Sequence, residues 1–149
     1  MSLLITEVKN APNFGTFVFI GYINYMSDVY YVGSFREDGL NGSNRGWIVG
    51  TFMNDLPRKN EEVEIKYWEY KASENVGHGL KASSIIECTF ILKGKTRCII
   101  GDDEIILKTG DYIVIKPGTP NNTVVEIIED TSGLTVKAPS DPTAKKIIG

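Results

Sequence analysis

The residues best suited to chemistry in this chain are its single histidine and one acidic residue in an apolar run. His78 stands between Gly77 and Gly79, so a ligand could approach the backbone closely on either side. Imidazole titrates near neutral pH, which makes His78 a candidate general base. If this run is a strand, Glu87 lies on the same face as Thr89 and Ile91. A carboxylate on such a face must be paired or hydrated, so Glu87 is the second candidate catalytic residue.

Both residues also have a purely structural interpretation. His78 would then be a solvated loop side chain. Glu87 would form a salt bridge with Lys66, Lys81 or Arg97. In the functional interpretation, Glu87 binds a ligand or exchanges protons inside an enclosed site. The residues by themselves leave both interpretations open.

Short strands must position these side chains. Between residues 87 and 121 the chain contains three apolar, β-branched runs separated by glycines. Turns are predicted at 93–95 and 101–103, and Pro117-Gly118 ends the last run. Turn residues at such regular intervals are typical of consecutive antiparallel hairpins and not of helices.

Further strands are predicted before and after these hairpins. The predicted elements are strands at 16–23, 29–32, 47–53, 63–70, 123–128 and 133–137, a turn near 27–28, a Gly- and Asn-rich loop at 36–46, and a short linker at 54–62. No convincing amphipathic helix is found. Many short, evenly spaced strands indicate an all-β sandwich or barrel.

The strand predicted at 63–70 alternates cleanly, with Glu64, Lys66, Trp68 and Tyr70 on one face. If this face points into a barrel, the two aromatic rings could stack on a sugar or an aromatic ligand. If it points outward, they would form a dimer interface, where aromatic residues are enriched. Periodicity does not decide between the two.

Two spacings stand out in the central stretch. Gly94 follows Glu87 by seven residues, and Pro117-Gly118 follows Gly110-Asp111 at the same interval. In these two motifs the stretch resembles the cupin superfamily of small β-barrels. This resemblance implies an all-β, cupin-like double-stranded β-helix (a jelly-roll barrel) with extra N-terminal strands. We expect a single domain over 1–149, with an N-terminal β extension at 1–62, the barrel at 63–138 and a tail at 139–149.

The resemblance also implies where a metal would bind, and this chain departs from the pattern there. Cupin sites typically use three histidines and a glutamate, a donor set suited to transition metals. Counting back from Glu87 puts the histidine pair at Leu80 and Ala82, or at Lys81 and Ser83, while Asn121 replaces the histidine of the second motif. We therefore predict no metal and no cofactor.

Composition excludes several classes of partner. The 149 residues carry a net charge of −3, which argues against nucleic acid or an anionic membrane as partner. No apolar run approaches the length of a membrane span, and the N-terminus lacks a signal-peptide pattern, so a cytoplasmic location is expected. Cys88 and Cys98 are predicted to be free, buried thiols on adjacent strands of one hairpin, without nucleophilic character. We expect a homodimer built through the aromatic N-terminal segment.

Three functions remain open at this stage. The first is metal-independent binding of a small polar molecule, a sugar or an organic acid, in the barrel through Lys66, Trp68, Lys81 and Asn121. The second is a metal-free isomerase or epimerase with His78 as base, assisted by Glu87 or a lysine. The third is an interaction module whose barrel is closed by bulky residues such as Ile91 and Tyr112.

Overall fold

A computed structural model describes residues 25–26 and 30–148 of the chain. This described part consists almost entirely of strands and turns, as the sequence predicts. In chain order the strands are β1 (Tyr25–Met26), β2 (Tyr31–Val32), β3 (Trp47–Val49), β4 (Glu64–Tyr70), β5 (Lys81–Ser83), β6 (Ile86–Ile100), β7 (Asp103–Lys108), β8 (Tyr112–Ile115), β9 (Asn121–Ala138) and β10 (Lys145–Ile147). The strand predicted at 16–23 and the turn near 27–28 lie outside the described residues.

Two long strands, β6 and β9, organise a curled antiparallel sheet. Strand β6 pairs with β7, β8 and β9. On its other side, β9 pairs with β4 and contacts β5, and these continue the sheet to β3 and β10. Pairing between strands far apart in sequence thus brings β4, β5, β9 and β10 together at one end of the sheet.

Strand β6 is continuous where the sequence predicts a turn at 93–95. Gly94 lies inside the strand with a φ of +86°, at a point where the pairing with β9 shifts register. A Cβ at this position would overlap the carbonyl oxygen of Asp130. Gly94 is therefore a kink that lets two strands approach closely, and the prediction of a hairpin there was wrong. The predicted turn at 101–103 is confirmed, because β7 begins at Asp103 and folds back on β6.

Other predicted boundaries differ from the structure. The two strands predicted at 123–128 and 133–137 form one strand, β9. The strand predicted at 47–53 ends at Val49, and the predicted loop at 36–46 overlaps a short π-helical turn at Phe35–Leu40. The segment predicted as a tail after residue 138 contains β10, which pairs with β5. For β9 and β10, pairing with strands distant in sequence, and not the local pattern, sets the limits of the element.

The inner face of the sheet has an apolar half and a polar half. The apolar core contains Trp68, Ile91, Cys98, Leu107, Val124 and Ile127. The polar half contains Glu64, Lys137 and Glu87, all less than 6% exposed, together with buried threonines. Glu87 and Ile91 therefore point inward, as their alternation predicts. Buried charge of this density must be paired internally.

The outer face of β6 and β8 carries exposed apolar side chains. Phe90 stacks on Tyr112 with ring centroids 5.9 Å apart, and Tyr112 is 66% exposed. The expectation that Tyr112 fills the barrel was therefore wrong. Cys88 lies on this face and is only half-buried, whereas Cys98 is fully buried. Both thiols are free as predicted, but they share strand β6 and are not hairpin neighbours.

Within the described residues, no helix is long and apolar enough to cross a membrane.

Candidate functional site

An open cavity of about 320 Å³ lies at the polar half of the sheet. Strands β4, β5, β9 and β10 and the loop around His78 form its walls. Its lining residues are Trp47, Lys66, Trp68, Tyr70, Gly77, His78, Gly79, Lys81, Asn122, Thr123, Val124, Thr135, Lys137, Lys145 and Ile147. A cavity of this size can enclose a small molecule.

Strand β4 supplies one wall through its polar alternating face. Lys66, Trp68 and Tyr70 line the cavity, so this face points inward and does not form an outer surface. Trp68 lies opposite Gly133 of β9, where a side chain would overlap the indole. The indole Nε1 donates a hydrogen bond to Thr135 Oγ1 at 3.1 Å. This hydrogen bond holds the Trp68 ring in place, and the absence of a side chain at Gly133 leaves room for it.

Below the cavity, Lys81 and Glu87 form a close ion pair. The Lys81 ammonium donates to both carboxylate oxygens of Glu87, at 2.7 and 2.8 Å. Glu87 is 1% exposed and does not line the cavity. Burial lowers the pKa of Lys81, while the Glu87 charge opposes this change. Of the structural partners considered for Glu87, the structure selects Lys81 and not Lys66 or Arg97, which instead contacts Glu104 and Glu126.

A second buried lysine, Lys137, joins two carboxylates. Its ammonium lies 3.6 Å from Glu64 and 3.8 Å from Glu87. Burial raises the pKa of Glu64, and the Lys137 charge partly offsets that effect. Lys81 and Lys137 together therefore compensate the two acids beneath the cavity.

The remaining two cavity lysines, Lys66 and Lys145, form no ion pair with an acid among the described residues. The aliphatic part of Lys66 packs against Gly46, where a Cβ would lie 3.1 Å from its Cε, and its ammonium lies 5.8 Å from the Trp47 ring centroid. Burial lowers the pKa of Lys66, and the charges of Lys145, Lys81, Lys137 and Arg45 lower it further. The cavity therefore carries uncompensated positive charge.

His78 lies at the cavity wall in a loop fastened by Asn122. The Asn122 side-chain amide donates to the His78 carbonyl at 2.6 Å, and the imidazole meets the edge of Tyr70 at 6.5 Å between centroids. Burial lowers the pKa of His78, and Lys145, Lys66 and Lys81 lower it further. These effects favour the neutral imidazole, which can accept a hydrogen bond or a proton.

The structure brings most predicted site residues together. His78, Lys66, Trp68 and Lys81 share the cavity, whereas Glu87 lies behind Lys81. Asn121 is 1% exposed and does not line the cavity. Its Nδ2 donates to Thr119 O, and its Oδ1 has no partner. Their functional roles stay predictions.

Several cavity residues were not recognised from the sequence, among them Trp47, Asn122, Lys137 and Lys145. The alternation through 133–137 places Lys137 on the face of Gly133 and Thr135, so this residue could have been found. Lys145 has no such local signal, because it falls in the segment interpreted as a tail.

The solved structures with similar folds include cupin barrels. A cupin 2 conserved barrel protein from Rhodopseudomonas palustris matches with a TM-score of 0.50 and 18% identity, covering 66% of this chain and 63% of that one. The 149-residue chain therefore has the cupin fold. The DMSP lyase DddQ from Ruegeria pomeroyi matches with a TM-score of 0.51 and 18% identity over 59% of this chain and 44% of its own. A mutant oxalate decarboxylase from Bacillus subtilis matches with a TM-score of 0.50 and 17% identity over 59% and 24%.

The chain thus spans less than two thirds of each of these cupins. No protein-family model matches the sequence, and no curated protein shows significant similarity to it. Cupins of this kind include enzymes, and the predicted jelly-roll fold is confirmed.

The donor set does not fit the transition metal that the cupin pattern implies. Within the described residues there is no group of three or more His, Cys, Asp or Glu side chains able to hold a metal. Glu87 is already engaged by the ammonium groups of Lys81 and Lys137. A cation bound to Glu87 would have to displace these two charges, so we derive no step through a metal.

Proposed function

We propose that this cupin-fold protein binds a small organic anion in its barrel cavity without a metal. The observation that carries the proposal is the charge of the cavity. Four lysines line it, and of these Lys81 and Lys137 form ion pairs with the buried carboxylates Glu64 and Glu87. Lys66 and Lys145 are left to attract a carboxylate or a similar anion.

The aromatic walls indicate what the rest of the ligand is like. Trp47, Trp68 and Tyr70 all line the cavity. Flat rings favour a ligand with a ring or another planar apolar surface. Among the small polar molecules considered, these features favour a sugar acid or an aromatic acid over a neutral sugar.

A metal-free isomerase is the second candidate, and one observation favours it. The lowered pKa of His78 leaves a neutral imidazole at the cavity wall, as a general base requires. Glu87 lies behind Lys81, so a lysine and not Glu87 would assist. A closed interaction module has less support, because the cavity is open and of ordinary ligand size. Homodimer formation and a cytoplasmic location stay predictions.

Intrinsic fluorescence provides a direct test of the binding proposal. The two tryptophans of the chain, Trp47 and Trp68, both line the cavity. Gluconate and benzoate should change the emission and raise the thermal midpoint, whereas glucose and benzyl alcohol should have little effect. Added salt should weaken the anion response. A response to glucose equal to that to gluconate would contradict the anion proposal.

Two charge variants sharpen this test. Lys145→Gln should weaken gluconate binding, because it removes a cavity charge with no acid partner among the described residues. Lys108→Gln, which removes an exposed charge from strand β7, should bind like the wild type. Equal weakening in both variants would indicate a general charge effect and not a site.

A further inference from the structure

Lys66 differs from the other three lysines of the cavity. Lys81 and Lys137 are held in ion pairs, and the side chain of Lys145 is exposed. Lys66 is partly buried and has no acid partner among the described residues. Gly46 and the Trp47 ring position its side chain, and its ammonium group remains available to the cavity.

The surroundings of Lys66 make its ammonium group easier to deprotonate than that of a solvated lysine. The charges of Lys145, Lys81, Lys137 and Arg45 lower its pKa beyond the effect of burial. Lys81 and Lys137 are themselves paired with Glu87 and Glu64, so the cations without an acid partner among the described residues are Lys145 and Arg45. A lysine that is desolvated beside other cations is a nucleophile at lower pH than a solvated lysine.

We propose that Lys66 forms an imine with a small carboxylate that also carries a ketone or aldehyde, such as a 2-oxo acid. This inference rests on the proposed anion site, because Lys145 and the other cavity cations would hold the carboxylate while the carbonyl group faces Lys66. The cavity size, its positive charge and a partly buried amine without an acid partner among the described residues all fit a compact oxo acid.

The chemistry balances without an oxidant or reductant. Neutral Lys66 Nζ attacks the carbonyl carbon, a C–N bond forms, and the carbonyl π pair moves to oxygen, which takes up a proton. The resulting carbinolamine loses a proton from nitrogen and its hydroxyl group, protonated, as water. His78 lines the same cavity as a neutral imidazole and can carry the proton between these two atoms. Addition of water reverses the sequence.

Reductive trapping tests the inference. The full chain is incubated with pyruvate and cyanoborohydride, and the labelled lysines are identified by peptide mass spectrometry. We expect the main reduced adduct at Lys66. It should form several-fold faster than the adduct at the exposed Lys108. The labelling rate at Lys66 should rise at lower pH than the rate at Lys108.

Matched variants complete the experiment. Lys66→Arg keeps the positive charge but removes the nucleophilic amine, so the adduct should be lost although thermal unfolding shows a folded protein. Lys108→Arg should label Lys66 like the wild type. Labelling of Lys66 no faster than Lys108 would overturn the imine proposal and leave the anion site standing. Absence of any gluconate or benzoate response in the wild type would instead overturn the proposed function beneath it.

Discussion

The ammonium of Lys81 contacts both carboxylate oxygens of Glu87, at 2.7 and 2.8 Å. Glu87 is the residue that matches the metal-binding glutamate of the cupin pattern, and Lys81 stands at one of the positions counted for the histidine pair. A cation carried by the chain itself thus contacts the carboxylate. The Lys81 ammonium supplies the opposite charge that a buried carboxylate such as Glu87 requires.

Removing the cation should destabilise the protein. Lys81→Met leaves Glu87 with only the more distant Lys137, so we expect a loss of about 3 kcal/mol in the free energy of unfolding, measured with urea. The double variant Lys81→Met with Glu87→Leu should recover most of this loss. Lys71→Met, which breaks the exposed pair with Asp130, should cost much less, because solvent screens that pair. Equal losses at the two lysines would contradict the buried-pair interpretation.

Removing Lys66 should stabilise the fold and weaken binding. Lys66→Met eliminates a partly buried charge without an acid partner, so at pH 7 we expect a gain of about 1 kcal/mol. The pKa of Lys66 is lowered in the folded protein, so between the folded pKa and 10.5 the unfolded chain binds more protons. Wild-type stability therefore rises with pH in that window, and the advantage of the variant should shrink. A variant that binds gluconate unchanged would contradict the site.

The pKa of His78 should report on anion binding. The chain has one histidine, so its imidazole proton signals need no assignment by mutation. We expect NMR titration of the free protein to give a pKa below 6.5, because burial and three lysines disfavour the imidazolium. Gluconate should raise this pKa, since a bound anion offsets the lysine charges. An unchanged pKa at saturating gluconate would place the anion elsewhere.

The same pKa shift makes stability depend on pH. Between the folded pKa of His78 and 6.5, the unfolded chain binds more protons than the folded chain. Stability should therefore fall as the pH decreases through this window. His78→Gln should remove that part of the pH dependence and change the free energy of unfolding by less than about 0.5 kcal/mol at pH 7, because the side chain is partly exposed. Retention of the full pH dependence in His78→Gln would assign it to other groups.

A glycine pair tests the continuous strand β6. Gly94→Ala places a methyl group against the Asp130 carbonyl oxygen and imposes a positive φ, so we expect a loss of more than about 2 kcal/mol. Gly110→Ala also has a positive φ of 88° but meets nothing within 4 Å, so about 1 kcal/mol is expected. Thermal unfolding compares the two variants. Equal costs would argue for an open turn at Gly94.

Local patterns in the sequence predicted a substantial part of this structure. Alternation directs Glu87 and Ile91 inward, because successive strand residues face opposite sides of a sheet. The same alternation places Lys66 and Trp68 on the face of β4 opposite to that of their sequence neighbours. The turn at 101–103 follows from its glycine. These features depend on residues close together in the chain, so one sequence is enough to recognise them.

Tertiary structure alone decided how these faces combine. Gly94 would suit a turn or a kink, and only the approach of Asp130 from β9 makes it a kink. Lys145 reaches the cavity because β10 pairs with β5. Local patterns were thus sufficient to assign the faces of the strands and the inward direction of Glu87. The charge of the cavity was decided by pairing between strands distant in sequence, because Coulomb interactions depend on distance in space and not on separation along the chain.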